Sequence, residues 1–457
     1  MTMMIAPLQA AEGAASVTSD PFTGLVIEQA GEVYIVSRPD IGALSALSAA
    51  DLAAFHLFVH NPADLGAIGA FYQWGGEDME GAAARTRRLM ARLERDGWLR
   101  RERPSHNAAG RLQQVYFTIT RECDLACPYC YQGLRQRKSK TMSLANAQTT
   151  LGKIAAFNPD CHIIVTGGEP FMHPEPFAIF DTIERLGLRF GLLCNGSFID
   201  DRVAARLAEY RGLKRVQISL DGMTSEIHAL TRGKSSFEKA LAAIDHIAEH
   251  DIPLVIAPTI HQGNAHQIAD MAVFAANKGA WFSPNNLRVF PHDENDGKFS
   301  LDNETLAGVV AHVRKRLGET FPAEYLRAIE HRAKGPAVCS VSAPNANFIC
   351  GTGHSLLDID WNGEVYPCHL LKDRSMVLGN IFEQSFDDIY RKCADLGIRV
   401  PSTEITKCST CKFTSRCGGG CRAGAFYSYG SLAREDDLCD LNYASQMRRI
   451  VLEGSSL

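Results

Sequence analysis

The sequence predicts an α/β protein built on a partial (β/α)6 barrel of the TIM type. Between Val115 and Pro291, apolar strand candidates alternate with amphipathic helical stretches such as Phe237 to Glu249. Such alternation implies parallel βαβ units with right-handed crossovers. The strand candidates are Val115–Thr120, His162–Thr166, Phe190–Cys194, Arg215–Ser219, Pro253–Thr259 and Asn286–Phe290, and six such units fit a partial barrel. Polar and glycine-containing segments follow several of these strands, where α/β barrels place their chemistry.

Composition sets the outer limits. A chain of 457 residues has room for two to four domains. With 46% hydrophobic and 22% charged residues and a net charge of −5, it reads as globular, with no basic surplus to suggest nucleic acid as a partner. No window approaches the roughly 18 uninterrupted apolar residues of a membrane span, so no membrane partner is expected. Residues 1–19 are Ala-rich, with no Lys or Arg ahead of their apolar positions, and read as a disordered tail rather than a signal peptide. Fourteen cysteines without an export signal point to reduced thiols and metal ligation, hence a cytoplasmic metalloprotein.

Residues 20–103 form a first unit. Leu25–Ile27 and Val33–Val36 are strand candidates around Gln29-Ala-Gly31, a hairpin-like turn. Ser48 and Asp51 open a helix from Asp51 to Val59, and a second runs from Met79 to Asp96 with Gly97 as its stop. Arg100 to Gly110 is polar and turn-rich, a linker into a barrel unit spanning 104–300. Residues 301–335 read as a helical bridge, and 336–457 form a cysteine-rich C-terminal unit.

The chemistry starts in the loop after the first barrel strand, Cys123-Asp-Leu-Ala-Cys127-Pro-Tyr129-Cys130. Three thiolates can hold three irons of a [4Fe–4S] cube and leave the fourth iron open to a ligand. Zinc is the competing reading, although it favours a fourth ligand and paired CxxC spacing. The CxxxCxxC spacing, with an aromatic residue before the last cysteine, resembles the cluster loop of the radical S-adenosylmethionine (radical SAM) enzymes.

That resemblance implies roles for the strand ends. Gly167, Gly168 and Glu169 match the segment that contacts the methionine amino group. Asn195 matches a residue near the nucleoside. Ser219, Asp221 and Arg232 match the region that takes the methionine carboxylate, and Tyr129 the position beside the adenine. The first unit resembles the winged-helix-like peptide-recognition domain of ribosomal peptide (RiPP) maturation systems, which adds a precursor's leader to its sheet edge.

A second array follows in the C-terminal unit. Cys350, twelve residues, Gly363, four residues and Cys368 precede Cys408-x-x-Cys411, five residues, Cys417, three residues, Cys421, and later Cys439. The array resembles the SPASM domain of one radical SAM subgroup, whose members bind two auxiliary [4Fe–4S] clusters. By position, Cys408, Cys411, Cys417 and Cys439 would hold one cluster and Cys350, Cys368 and Cys421 the other. Cys339 is the candidate eighth ligand. A pair of structural zinc sites is the alternative. Asp358 to Cys368 reads as a hairpin turning at Asn362-Gly363. Cys161, Cys194 and Cys393 read as buried small apolar residues.

The resemblance implies S-adenosylmethionine and three [4Fe–4S] clusters as cofactors and a flavodoxin- or ferredoxin-like reductant as partner. The expected function is a peptide maturase acting on a leader-bearing precursor, with a two-electron oxidation that forms a C–C or C–S side-chain crosslink. A sulfatase-type maturase making formylglycine is the alternative. That group carries an Asp immediately after the cysteine matching Cys368, where this chain has His369. A non-catalytic iron–sulfur electron carrier or sensor is the alternative of another class. His369 is the candidate base, with Asp358, Asp360 and Glu364 near the same array, and for each of the four a solvated loop charge is the simpler reading.

Overall fold

A computed structural model describes residues 24–39, 41–99, 112–133, 140–288, 297–334 and 350–455. The expected tail, the interdomain linker, Cys339 and the end of the sixth strand candidate lie outside these residues. Two units result, one of residues up to 102 together with the chain from 449 onward, and one of residues 103–448.

The first unit is a three-stranded antiparallel sheet followed by three helices. Its strands are β1 (Val26–Ala30), β2 (Val33–Arg38) and β3 (Ala43–Leu47), in that order across the sheet. Its helices are α1 (Ala49–His60), α2 (Leu65–Trp74) and α3 (Met79–Arg95). Ser48 Oγ accepts the Asp51 N–H at 3.1 Å, so the expected cap is formed. Gly97, at φ 93°, provides the left-handed step after α3. Strand β3 and helix α2 were not legible in the sequence. Strand β3 is Ala-Leu-Ser-Ala-Leu, without β-branched residues, and α2 carries two glycines in its first half. The core closes on Phe55, whose ring meets Trp98 edge-on at 4.6 Å, while Trp98 Nε1 donates to Ser45 Oγ at 3.0 Å.

The second unit is a nine-stranded sheet with helices packed on its outer face. Strands β4 (Gln114–Thr120), β5 (His162–Gly167), β6 (Arg189–Cys194) and β7 (Leu213–Ile218) follow the expected order. The fifth expected strand is split in two, and in place of the sixth, expected at 286–290, two short strands lie earlier in the chain and reach that range only at Asn286. Strands β8 (Leu254–Ile256) and β9 (Thr259–Ile260) replace one; β10 (Trp281–Phe282) and β11 (Asn285–Asn286) replace the other. Pro258 and Pro284 sit at the two breaks, and a proline has no N–H for the ladder. The split segments still pair in parallel, β10 with β8 and β11 with β9.

Strands β12 (Leu356–Ile359) and β13 (Glu364–Tyr366) make the expected hairpin, and β14 (Gly379–Asn380) follows. The hairpin does not stand apart. The sheet order is β10-β8-β7-β6-β5-β4-β12-β13-β14, and β12 pairs in parallel with β4 from Leu356↔Gln114 to Ile359↔Phe117. The cysteine-rich region therefore continues the barrel sheet.

Alternation sorts the barrel residues. Val115, Phe117 and Ile119 of β4 and Val216 and Ile218 of β7 are fully buried in the core shared with the outer helices. Tyr116 of β4 and Arg215 and Gln217 of β7 point to the other face and line a cavity.

Phe55→Ala is expected to cost about 3–5 kcal/mol, the range for truncating a buried aromatic. In hydrogen exchange on the full chain, protection should fall in β3 and α1 and stay unchanged in the barrel strands.

Candidate active site

The loop after β4 is folded tightly on its own backbone. Cys130 N–H donates to the Cys127 carbonyl at 3.1 Å, Gly133 N–H to the Cys130 carbonyl at 2.8 Å, and Leu125 N–H to Cys123 Sγ at 3.5 Å. The end of β5 is laced to the start of this loop. Gly168 N–H donates to the Thr120 carbonyl at 2.8 Å and Glu169 N–H to the Glu122 carbonyl at 2.7 Å. A Cβ at Gly168 would run into the carbonyls of Arg121 and Glu122, so this approach needs a glycine.

A cavity of about 580 Å³ opens beside the loop. Cys123, Cys127, Tyr129 and Cys130 form one wall. Gly167 and Gly168, then Asn195, then Ser219 and Arg232 line it from successive strand ends. Asn195 Nδ2 donates to Asp124 Oδ1 at 2.7 Å and lies 4.0 Å from Cys123 Sγ, which ties that strand end to the cysteine loop.

Two expected contact residues sit behind the wall. Asp221 is fully buried. Its Oδ2 accepts from Arg232 Nε at 2.6 Å, from Thr231 Oγ1 at 3.0 Å and from the Tyr129 hydroxyl, and its Oδ1 accepts the Thr259 N–H at 2.9 Å. Burial opposes its ionisation, but the Arg232 charge and the Tyr129 hydrogen bond outweigh burial and hold it below the ordinary carboxylate range. Asp221 thus fixes Arg232 and Tyr129, the two groups that reach the cavity. Glu169 is also fully buried. Its carboxylate accepts the Asn195 N–H at 2.8 Å and the Phe171 N–H at 3.4 Å, and burial pushes its pKa up to about 8. Of the Gly-Gly-Glu segment, the cavity is lined by the two glycines.

The C-terminal thiols gather into the two expected sets. Burial pushes Cys408 up to about 12, and the nearby Cys417, Cys439 and Cys411 add to that rise. Burial likewise raises Cys368, followed by the proximity of Cys350 and Cys421. Asp436 braces the second set, accepting the Cys421 N–H at 2.8 Å and Arg288 Nη1 at 2.9 Å. Arg288 also lines the cavity, as does His369 beside Cys368, so residues next to the second set reach the same space as the Cys123 loop. Cys161 and Cys393 are fully buried, as expected, whereas Cys194 is buried but touches the cavity.

His369 stacks on Tyr116 with ring centroids 3.8 Å apart and meets Tyr131 edge-on at 5.5 Å. Burial and then the Lys372 charge push its pKa down to about 3, so the imidazole is neutral at physiological pH. Asp358 and Asp360 are not solvated loop charges. Both are buried, because β12 and the start of its turn lie against β4. Lys372 Nζ lies 3.0 Å from Asp358 Oδ2 and 3.6 Å from Asp360 Oδ2, and Arg121 pairs with Asp360. Burial raises Asp358 to about 6, while Lys372 and Arg121 overcome burial to hold Asp360 low. Lys372, Arg121, Arg215 and Arg288 were missed in the sequence. Arg215 carried a signal, being a charge inside an otherwise apolar strand candidate.

Comparison with known proteins adds the family. The model of the radical SAM superfamily matches residues 117–275, and the SPASM model, an iron-sulfur cluster-binding domain, matches 350–412. This chain carries a radical SAM domain followed by a SPASM domain. An AdoMet-dependent heme synthase of Methanosarcina barkeri is 27% identical over 346 residues, covering 71% of this chain and 95% of that protein. The mycofactocin maturase MftC of Mycobacterium ulcerans is 28% identical over 339 residues, covering 72% and 87%. Among solved structures, native anSMEcpe with bound AdoMet aligns at a TM-score of 0.61 and 19% identity, over 75% of this chain and 99% of that one. Streptococcus suis SuiB bound to precursor peptide SuiA aligns at 0.57 and 16% identity, over 91% and 98%.

The radical SAM architecture makes the protein an AdoMet-dependent oxidoreductase. The donor sets suit iron–sulfur clusters, since each is made of clustered soft thiols. Among the described residues, no helix is long and apolar enough to cross a membrane.

Gly168→Ala is expected to push the strand end and the cysteine loop apart. Overpacking there costs about 1–3 kcal/mol, read as lost iron and lost AdoMet affinity after reconstitution. Lys372→Met leaves two buried carboxylates facing one cation and should destabilise the protein by about 3–5 kcal/mol at pH 8. Because the folded state already raises Asp358 to about 6, the penalty should shrink as pH falls through that value and protons replace the lost charge. Thermal midpoints of wild type and variant at pH 8 and pH 5.5 test this.

Proposed function

We propose that the protein is a radical SAM peptide maturase. It removes a hydrogen atom from a ribosomally made precursor peptide and oxidises the peptide by two electrons, forming a C–C or C–S side-chain crosslink. The observation that carries the reading is one cavity lined both by Cys123, Cys127 and Cys130 and by His369 and Leu370, the two residues that follow Cys368. Hydrogen abstraction beside the Cys123 loop would leave a substrate radical, and a redox group held behind His369 by the Cys368 set would take its second electron.

In this reading Cys123, Cys127 and Cys130 hold a [4Fe–4S] cluster, and the two C-terminal sets hold one each. AdoMet bound at the first cluster supplies, on one-electron reduction, a 5′-deoxyadenosyl radical. The chain's own residues do the placing. Gly167 and Gly168 let backbone approach the methionine end, and Ser219 with the Asp221-braced guanidinium of Arg232 takes its carboxylate. Asn195 and Tyr129 flank the nucleoside. His369 remains the candidate acceptor of a substrate proton and sits against the cavity on Tyr116.

The first unit supports a peptide substrate. A sheet with an exposed edge strand, β1, and a separate helical layer suits leader docking by strand addition. The alignment with SuiB, which was solved with its precursor peptide, extends over 91% of this chain. Against formylglycine formation stands His369, where that reaction's enzymes are expected to have a carboxylate.

The test is anaerobic reconstitution with AdoMet, a reductant and a leader-bearing peptide encoded beside the protein. We expect 5′-deoxyadenosine and a loss of two hydrogens per modification, with fragmentation suppressed between two residues. Cys127→Ala should abolish both products. Formation of 5′-deoxyadenosine with the peptide unchanged would count against the peptide reading and leave the radical chemistry in place.

A further inference from the structure

We propose that Arg215 and Gln217, on the inner face of β7, anchor a carboxylate of the substrate below the AdoMet-contact positions. Strand alternation puts Arg215, Gln217 and Ser219 on one face, and all three line the cavity. The register extends that level across the barrel: Arg215 pairs with Gly191, Gly191 with Ile164, and Ile164 with Tyr116, the ring on which His369 stacks. Arg215 thus shares a layer with the group nearest the second thiol set.

The arginine is accommodated but not neutralised. Gly191 has no Cβ where one would lie 3.2 Å from Arg215 Cγ, so β6 leaves room for its stem. The other two cavity arginines have their anions, Arg232 with Asp221 and Arg288 with Asp436 and Asp437. Among the described residues no carboxylate pairs with Arg215, and its Nε is buried without a partner. A second orphaned nitrogen lies in the same corner. His162, on the inner face of β5 one step below Ile164, is 3% exposed and its Nε2 has no partner. Burial, helped by the Arg215 charge, pushes its pKa down to about 4. A half-buried guanidinium with no counter-ion and a buried, unpartnered Nε is costly to leave so, and an arriving carboxylate matches its donor fork.

This carboxylate is not that of AdoMet. Ser219 lies four residues further along the strand, about 13 Å at 3.3 Å per residue, and with Arg232 it serves the methionine end. One cation beside a neutral amide balances a single negative charge, which favours carboxylate over phosphate. Only the identity of the ligand as a peptide rests on the proposed function; the anchor itself does not.

The cluster-reconstituted, AdoMet-loaded full chain is titrated with three capped alanine pentapeptides. One has a central glutamate and a C-terminal amide, one is the all-alanine free acid, and one the all-alanine amide. One acid should bind about tenfold or more tightly than the amide, as a charge-assisted pair provides. Which acid does so tells a side chain from a chain terminus. Arg215→Gln should erase the preference while AdoMet affinity stays unchanged, and Gly191→Ala, which displaces the arginine stem, should weaken it. Arg215→Lys keeps the charge without the fork and should restore part of what Arg215→Gln loses. Glutarate binding that depends on Arg215, with neither peptide acid preferred, would keep the anchor and overturn the peptide reading. Retention of the preference by Arg215→Gln, or a stronger response to inorganic phosphate than to glutarate, would overturn the anchor. So would the absence of any Arg215-dependent acid binding.

Discussion

Two aspartates buried where the hairpin joins the barrel, Asp358 and Asp360, must be neutralised from both sides, and the arrangement of the thiols depends on this. Lys372 reaches them from the segment after Cys368, and Arg121 from the segment just before Cys123. Removing either cation leaves a buried charge unpaired, so the clamp works only when β12 lies against β4 in register. Lys372 Nζ also lies 3.3 Å from Thr118 Oγ1 on β4 and 3.4 Å from Gln132 Oε1 beyond the cysteine loop. One ammonium thus ties together the barrel strand, the first thiol loop and the approach to the second thiol set.

The same pairing places His369 at the cavity and Cys368 immediately behind it. From the opposite side Arg288 crosses to Asp436 and Asp437, next to Cys421. The cavity is therefore walled by the Cys123 loop and by residues next to the second thiol set, held by buried ion pairs rather than by loop contacts alone. That rigidity matters for radical chemistry, because the reacting carbon must be held near the abstracting group and away from water. The Asp221 network does the same at the strand ends, where one carboxylate orients both Arg232 and Tyr129.

The interior of the barrel is graded along β7. Ser219 at the strand end faces the expected cofactor position, and Gln217 and then Arg215 follow toward the floor. The other face of this strand, Val216 and Ile218, packs into the core, so its polar residues are confined to the cavity side.

The sequence by itself determined the alternation of strands and helices, the caps at Ser48 and Gly97, and the two thiol arrays, because these depend on neighbours a few residues apart. The positions of Cys123, Cys127 and Cys130 in one loop were legible in their spacing, whereas the division of the later cysteines came from the family resemblance. Only the tertiary structure decided that the hairpin joins β4, because register between strands some 240 residues apart leaves no local mark. That pairing turned Asp358 and Asp360 from loop charges into a buried clamp. Long-range packing likewise put Glu169 and Asp221 behind the wall and turned Arg215 into the cavity. A residue's type limits what it can bind, but which face of which strand it occupies, and what lies opposite, is fixed only when the sheet closes.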